Sequence, residues 1–420
     1  MRQYIKKIGG VIKNNKKIVE NYFFMTLLQV LNSLFYLLLY PYLIRVLGGE
    51  GYGLHVFATS IATYFIFFIN FGFDLPATKL IAENVANKEN LRRVLSEVFT
   101  AKNYLFLISV IVFAILLISI PLFWNNKWIF ISCFSVVYFY IAFPQWFFQG
   151  IQQMRVVTMV QLGIKILSLP FIFIFVREEQ DLILYAFIIA GTTFLGGIVS
   201  FLIVYLHYDL RIYWVSVRKL RKVFKDSLPF FYSYLAGTLK EYSIPVIIGS
   251  FIGMHAVAVY DLANKITYVP RILFMSINTV IFPKLVVKND VLTTRKVIIW
   301  ELSVSFLVLL AFLFFGKYIV ILMGGSTMTD AYAMSVVLST TIMSRLVVGA
   351  YTNFVFIPNN SNYLITKTQL VALISFVLCG IISIIFRKTV LAIGVTIALS
   401  AICEMVYCMY VSNKRKLLSF

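Results

Sequence analysis

Five charged residues occur inside two apolar stretches, 227–251 and 257–282, each long enough to form a membrane-spanning helix. A charge at the centre of a bilayer costs about 3 to about 15 kcal/mol, so such residues normally face a water-filled cavity or an internal partner. Because three of the five are basic, the stretch predicts one wall of a polar, net-positive cavity. The five are Lys240, Glu241, Asp261, Lys265 and Arg271.

Internal pairing is the alternative for two of these charges. Asp261 and Lys265 are four residues apart, on one face of a helix, where they can neutralise each other. Arg271 has no acidic residue three or four positions away on its own helix. Both interpretations therefore stay open for the Asp261–Lys265 pair, whereas Arg271 favours a cavity.

The composition indicates a protein that crosses the membrane many times. Hydrophobic residues make up 61% of the 420 residues and charged residues only 13%, far from the composition of soluble proteins. The net charge of +20 does not indicate a nucleic-acid partner, because lysine and arginine cluster in short segments between apolar runs, where they set topology. We therefore expect this protein to contact membrane lipids and to bind no nucleic acid.

Twelve apolar runs of about 20 residues can be placed along the sequence, which predicts an all-α membrane protein with twelve transmembrane helices. The segments on the side of the termini contain 24 of the 37 lysines and arginines, and the alternate segments contain six. This bias places both termini in the cytoplasm. The basic connection halfway along predicts a six-helix bundle at 1–210, a cytoplasmic linker at 211–226 and a second six-helix bundle at 227–420.

A weak internal repeat supports this division. An offset of 205 residues aligns 47–80 with 252–285 and matches Gly48 with Gly253, as well as a lysine–leucine pair at the end of each segment. Two halves of equal topology are related by a pseudo-two-fold axis along the membrane normal, an architecture of transporters with the site between the halves.

Motifs for catalysis are missing from the sequence. It contains no GxxxxGK[ST] phosphate loop, and its three histidines are not spaced as a metal site. The glycine-rich stretch at 48–53 predicts a tight external turn. The longest external connection, about 317–331, is short and contains one acidic residue. We therefore expect no enzyme activity, no cofactor and no metal.

Four local sequences are distinctive: YPYLIRVLGGEGYG (40–53), NFGFDLPATKLIAEN (70–84), FPQWFFQGIQQMR (143–155) and LPFFYSYLAGTLKEYSIPVIIGSFIGMHAVAVYDLANKI (228–266). Through them the chain resembles the polysaccharide flippases that translocate lipid-linked O-antigen or capsule repeat units. These belong to the multidrug/oligosaccharidyl-lipid/polysaccharide exporter superfamily. The resemblance implies a bacterial cytoplasmic-membrane protein whose substrate is an undecaprenyl pyrophosphate carrier with a short glycan.

The resemblance also implies which residues line the cavity. Its walls would come chiefly from the first, second, seventh and eighth spans, which favours Lys240, Lys265 and Arg271 as contacts for pyrophosphate or sugar. Arg45 would lie at the outer mouth. Basic side chains suit this substrate because they attract phosphate strongly in a low-dielectric cavity, arginine with the better fork geometry.

Other charged residues have two interpretations each. Lys165 and Arg345, in the fifth and tenth spans, fit either the cavity or structural pairing. Asp74 and Lys79 fit either a gate at the cytoplasmic end of the second span or a surface charge pair.

The transport cycle implied by the resemblance is alternating access, in which residues 1–210 rock against 220–420. Glu241 or Asp261 can bind a coupling ion, H⁺ or Na⁺, a hypothesis that rests on their position in mid-membrane. A polysaccharide polymerase or ligase is the expected protein partner.

Three alternatives compete with this function. A peptidoglycan-precursor flippase of the same superfamily would have two further spans. A drug or cation antiporter of the superfamily would have a cavity dominated by acidic and apolar groups. A membrane glycan polymerase would have a large external loop with paired arginines, which the sequence lacks.

Overall fold

The computed structural model describes residues 16–288, 291–359, 361–415 and 417, which form helices joined by short turns, with no β-strand among them. The first eight helices are α1 (Lys16–Asn70), α2 (Asp74–Glu83), α3 (Lys88–Ser119), α4 (Pro121–Asn125), α5 (Lys127–Ser135), α6 (Phe139–Ala142), α7 (Gln145–Gly150) and α8 (Met154–Phe175). The next seven are α9 (Leu182–Leu202), α10 (Val217–Phe251), α11 (Met254–Lys288), α12 (Val291–Gly324), α13 (Asp330–Tyr351), α14 (Asn362–Phe386) and α15 (Val390–Lys414). Single turns of 3₁₀ or π helix cover Val136–Tyr138, Glu179–Asp181, Ile203–His207, Ser326–Met328 and Thr352–Phe356.

Nine segments of the described chain are long and apolar enough to cross a membrane. The longest, Phe23–Asn70, has 48 residues, enough for two crossings of about 20 residues each. Helices α10 and α11 have 35 residues each and are not among these nine segments. The all-helical membrane class is therefore observed, whereas the count of twelve stays a prediction.

The long helix α1 is broken at Gly48. Its φ of 66° and ψ of 169° are not helical, and a positive φ is readily adopted only by glycine. The predicted external turn at 48–53 is thus wrong in extent, because the helix resumes directly after Gly48 and residues 49–53 are helical. The break divides α1 into two apolar helices without a loop.

Contacts between Cα atoms divide the described chain into two units. One comprises the residues up to Leu39 together with Ile61–Tyr234, and the other comprises Tyr40–Ser60 together with the residues from Leu235 onward. The middle of α1 therefore belongs to the second unit by its contacts. The predicted bundles at 1–210 and 227–420 remain a prediction about topology.

Aromatic rings fill the interior of the first unit. Phe134 stacks on Phe113 with ring centroids 4.1 Å apart and meets the edge of Phe65 at 5.1 Å. These residues come from α5, α3 and α1, so the aromatic contacts hold three separate helices together. In the second unit, a core of buried apolar residues around Tyr351 and Phe356 joins α12, α13, α14 and α15.

The segment at 211–226, which was predicted as a cytoplasmic linker, belongs to the first unit by its contacts. Only the residues up to Ser216 lack regular secondary structure, and α10 begins at Val217, ten residues before the predicted span. Leu210, Val215 and Leu220 are buried within the first unit. Apolar side chains at these positions therefore anchor a segment whose charges alone indicated a free loop.

Candidate functional site

A network of polar side chains surrounds Asp261 inside the second unit. Its Oδ2 accepts hydrogen bonds from the hydroxyls of Tyr52 at 2.9 Å and Tyr40 at 3.2 Å, and it forms an ion pair with Lys265 Nζ at 3.1 Å. Lys265 also donates to the Tyr52 hydroxyl at 3.0 Å and lies over the Tyr40 ring, 4.8 Å from its centroid. The internal pairing considered for Asp261 and Lys265 is thus present. We call these four residues the tyrosine–aspartate network.

The network connects the middle of α1 with α11, and glycine makes this approach possible. A Cβ atom on Gly53 would overlap the backbone oxygen of Met254. Only a residue without a side chain lets the two backbones lie this close. Tyr40 and Tyr52, on either side of Gly48, are both buried and meet edge to face with ring centroids 5.0 Å apart. The network therefore lies in a closely packed region.

Arg45, which was predicted at the outer mouth, is exposed on the same stretch of α1. Its Nη2 donates a hydrogen bond to the backbone oxygen of Leu322 at 2.9 Å, near the end of α12. This bond satisfies one of the last carbonyl groups of that helix. The residue has a structural partner, and its predicted contact with substrate stays a prediction.

A second polar group in this unit contains three cations and two carboxylates. Arg345 Nη2 lies 3.9 Å from Glu241 Oε1, and the Arg271 guanidinium stacks over the Tyr268 ring at 4.9 Å. Lys240 interacts electrostatically with Glu404. We call Lys240, Glu241, Arg271, Arg345 and Glu404 the cationic cluster; its formal charge is +1.

The ion pair in the cationic cluster is weak. The side chains of Arg345 and Glu241 are 40% and 48% exposed, and a long pair in such a position contributes about 0 to 1 kcal/mol. Its Arg345 guanidinium can therefore exchange the carboxylate for another anion at little cost. Arginine also offers several donors in a planar fork, which matches the oxygens of a phosphate group. The cluster has the chemistry to hold a phosphorylated headgroup.

Lys165 is placed in the first unit, where it packs on aromatic rings. Its Nζ lies 4.7 Å from the ring centroids of both Phe35 and Tyr36. Such cation–π contacts stabilise a charged side chain beside aromatic rings. Its predicted contact with substrate stays a prediction.

Asp74 and Lys79 do not form the charge pair that was considered for them. Lys79 pairs with Glu83 at 3.8 Å on the exposed surface of α2. Asp74 Oδ1 instead accepts from Lys102 Nζ at 3.0 Å. The surface pair between Asp74 and Lys79 is therefore wrong, because each residue has a closer partner of opposite charge.

Lys102 is a buried cation whose role the sequence did not reveal. Its side chain is 3% exposed, and its Nζ donates to Asn70 Oδ1 at 2.8 Å as well as to Asp74. Both acceptors lie on either side of a tight turn in which Phe71 and Gly72 have positive φ angles. Lys102 thus fixes the turn between α1 and α2.

Tyr40 and Tyr52 were likewise not evident from the sequence. With 25 tyrosines in the chain, residue type alone does not separate two buried hydroxyls from those at the membrane surface. Their distance from Asp261, more than 200 residues, exceeds the range of any helical spacing rule. The adjacent glycines were the available signal, since they allow close contact between helices.

Comparison with known proteins gives one family and two curated relatives. A family model described as "Polysaccharide biosynthesis protein" matches residues 18–287. A protein of Escherichia coli (strain K12) named "Putative O-antigen transporter" is 27% identical over 65% of this chain. The match spans 66% of that relative's length, slightly less than two thirds. A Shigella dysenteriae protein of the same name is 24% identical over 63% of this chain and 67% of its own.

Solved structures of low sequence identity share the fold. A structure of the lipid II flippase MurJ in an inward closed conformation superimposes with a TM-score of 0.70, at 13% identity, and covers 94% of this chain and 87% of that one. An inward-facing multidrug resistance MATE family transporter of the MOP superfamily gives 0.68 at 14% identity, over 92% of this chain and 96% of that one. At these identities the likeness concerns the fold alone.

Proposed function

Because the chain belongs to the polysaccharide biosynthesis protein family, we propose that it is a flippase for undecaprenyl-pyrophosphate-linked oligosaccharide repeat units. It would move them from the cytoplasmic to the outer leaflet for surface polysaccharide synthesis. Two relatives carry the name of O-antigen transporters, and structures with the same fold are of transporters, which supports transport rather than catalysis. The observation that carries the proposal is the cationic cluster on α10, α11, α13 and α15.

The charge balance of the cluster suits a pyrophosphate. Its three cations exceed its two carboxylates, while the nearby Asp261–Lys265 pair is neutral. A headgroup with two or more negative charges would replace the weak contact between Arg345 and Glu241 and add contacts to Arg271 and Lys240. Charge-assisted hydrogen bonds of this kind are about twice as strong as neutral ones.

Tyrosines around the cluster would contact the glycan. The Arg271 guanidinium already lies over the Tyr268 ring, and Tyr268 is 40% exposed. Tyr242, also exposed, follows Glu241 on α10. Such side chains combine an apolar face for a sugar ring with a polar group for hydrogen bonding.

The tyrosine–aspartate network would be a contact that opens during alternating access. In the predicted division into residues 1–210 and 227–420, Tyr40 and Tyr52 belong to the first half, whereas Asp261 and Lys265 belong to the second. Rocking of the halves would have to break these hydrogen bonds. The twelve spans, the cytoplasmic termini and the repeat axis are parts of this proposal, and so is the placement of Arg45 at the outer mouth.

A peptidoglycan-precursor flippase is the second candidate. Its substrate also carries a lipid pyrophosphate, so the cationic cluster fits it equally well, and a structure of a lipid II flippase shares the fold. A drug antiporter would need a cavity dominated by acidic and apolar groups, which the three cations of the cluster disfavour.

Transport is tested in vesicles that contain the full-length protein and a fluorescent lipid-linked oligosaccharide. A membrane-impermeant quencher reports how much label has reached each leaflet. We expect flipping of the lipid-linked oligosaccharide, with lipid II flipped at least tenfold more slowly. Equal rates would favour the second candidate, and equal accessibility in vesicles with and without protein would contradict both.

Coupling and partners are tested in the same system. We propose that Glu241 or Asp261 binds the coupling ion. Glu241 pairs with Arg345 and Asp261 pairs with Lys265, and binding of the substrate to these cations would free the carboxylates. An H⁺ gradient and an Na⁺ gradient are imposed separately, and only one of the two should accelerate transport. Co-purification with a polysaccharide polymerase or ligase would test the proposed partnership, and transport by the purified protein alone would show that the partner is dispensable.

A further inference from the structure

Residues 208–216 form a segment without regular secondary structure that lies along α3, and we call it the strap. The backbone N–H of Tyr213 donates to Ser96 Oγ at 3.2 Å, and that of Val215 donates to Thr100 Oγ1 at 3.3 Å. Both acceptors are fully buried and four residues apart, on one face of α3. Their hydroxyls replace the backbone partners that a segment without regular secondary structure lacks.

Two further contacts fix the ends of the strap. Near its beginning, Asp209 Oδ2 accepts from Lys88 Nζ at 2.6 Å, and this bond holds the pKa of Asp209 below its ordinary value. Near its end, the indole N–H of Trp214 donates to the Tyr104 hydroxyl at 2.9 Å. The strap therefore follows α3 over about four helical turns, from Lys88 to Tyr104.

Arg92 holds the middle of the strap. Its Nε donates to the backbone oxygen of Arg211 at 2.6 Å, and its guanidinium lies 5.1 Å from the centroid of the Tyr213 ring. These contacts leave the outer part of the ring open. Hydrogen bonds and a ring contact thus hold the strap against α3 along its length.

The exposed side of this surface is aromatic and basic. Tyr213 is 42% exposed and Trp214 is 56% exposed, although the neighbouring Leu210 and Val215 are buried. Residues 88–97 and 209–226 contain nine basic and four acidic side chains, a net charge of +5. The basic ones are Lys88, Arg92, Arg93, Arg211, Arg218, Lys219, Arg221, Lys222 and Lys225.

An apolar edge adjoins the same surface. Tyr205 and Leu206, at the end of the membrane segment Glu179–His207, are exposed directly before the strap. The chain therefore passes from exposed apolar groups to aromatic rings and then to cations within about twenty residues. Tyrosine and tryptophan prefer the level of lipid headgroups, and lysine and arginine next to a membrane attract anionic lipids.

We propose that the strap and the first turns of α10 form a binding surface for the headgroups of anionic phospholipids. Trp214 and Tyr213 lie among the headgroups, while Arg218, Arg221 and Lys222 contact their phosphates. Charge complementarity with a lipid surface favours this partner over an acidic protein, because the exposed rings and the apolar edge need a hydrocarbon boundary. The inference does not depend on the transported substrate.

Binding is tested on the full-length protein in detergent by titration with phosphatidylglycerol that is brominated in its acyl chains. Bromine quenches nearby tryptophan, and the variant W214F identifies the signal of Trp214. We expect quenching of Trp214 by brominated phosphatidylglycerol at least tenfold more readily than by brominated phosphatidylcholine, and a strong decrease of this difference at 0.5 M salt. Equal quenching by the two lipids would overturn the proposal.

A matched pair of triple variants separates this surface from total charge. R218Q/R221Q/K222Q should weaken the response to phosphatidylglycerol at least tenfold, whereas K317Q/R387Q/K388Q removes the same charge from other exposed positions and should leave it unchanged. Equal weakening in both variants would overturn the proposal. So would inorganic phosphate or poly-glutamate that abolishes the quenching at concentrations equal to those of the lipid.

Discussion

Tyr52 precedes Asp261 by 209 residues, and its hydroxyl donates a hydrogen bond to Asp261 Oδ2 at 2.9 Å. The same hydroxyl accepts from Lys265, so one tyrosine connects both members of an ion pair. A change at this position therefore affects two charged groups.

Replacement of Tyr52 by phenylalanine should destabilise the protein by about 1.5 to 3 kcal/mol, the usual contribution of a hydrogen bond to a charged group. The thermal unfolding midpoint of the detergent-solubilised protein measures this effect. Tyr318→Phe, which changes an exposed tyrosine, is the control. Equal midpoints for both variants would mean that the Tyr52 hydroxyl contributes nothing.

Asp261 and Lys265 should show strong coupling in a double-mutant cycle. Asp261→Asn leaves the ammonium without its carboxylate, and Lys265→Met leaves the carboxylate without its ammonium, so each single change should be costly. The double variant should be more stable than the sum of the two effects predicts, by about 0.5 to 3 kcal/mol. Strictly additive effects on unfolding would contradict the ion pair.

Arg271→Gln should lower the rate of oligosaccharide-lipid flipping at least tenfold and leave the unfolding midpoint nearly unchanged. Arg271→Lys should be intermediate, because lysine keeps the charge but loses the planar fork. Lys388→Gln, at an exposed position between α14 and α15, is the control. Unaltered rates after single replacement of Lys240, Arg271 and Arg345 would remove the cationic cluster from the mechanism.

Gly53→Ala should be destabilising by about 1 to 3 kcal/mol, since the new methyl group overlaps the backbone of Met254 and must push the two helices apart. Gly163→Ala on α8 is the matched change, because a Cβ there meets no atom within 4 Å. It should be neutral or stabilising by up to about 1 kcal/mol. Similar losses at both positions would contradict the close approach.

A disulfide between positions 49 and 255 should stop transport reversibly. A Cβ on Gly49 would overlap the His255 ring, so cysteines at both positions come within bonding reach. The variant is made after replacement of Cys133, Cys379, Cys403 and Cys408. Oxidation should arrest flipping and dithiothreitol should restore it; undiminished flipping in the oxidised form would show that this contact need not open.

The charged residues of α10 and α11 could be identified from sequence because charges in apolar stretches are rare and costly. The family was also recognisable, and the resemblance carried by four stretches is confirmed by the family model over residues 18–287. The alignment of Gly48 with Gly253 paired two residues that both have positive φ, 66° and 135°. Such features can be recognised from sequence because each is a pattern of residues within a few helical turns of one another.

Long-range partners were not accessible in the same way. Nothing within several turns of Asp261 indicates that Tyr40 and Tyr52 bind it, and the strap looked like a solvated linker because its buried hydrogen bonds are to residues more than 100 positions earlier. The partners of Asp74 and Lys79 could not be predicted either, because only the fold determines which residue of opposite charge lies nearest to each.

The buried Lys102 has a consequence for how the chain is made. Both of its acceptors, Asn70 and Asp74, precede it in sequence and so leave the ribosome first. When α3 enters the bilayer, the side-chain oxygens of Asn70 and Asp74 are therefore already present to accept from the Lys102 ammonium group. Insertion of α3 then does not expose an isolated cation to lipid. If the acceptors followed Lys102 in the sequence, its charge would enter the membrane before its partners were made.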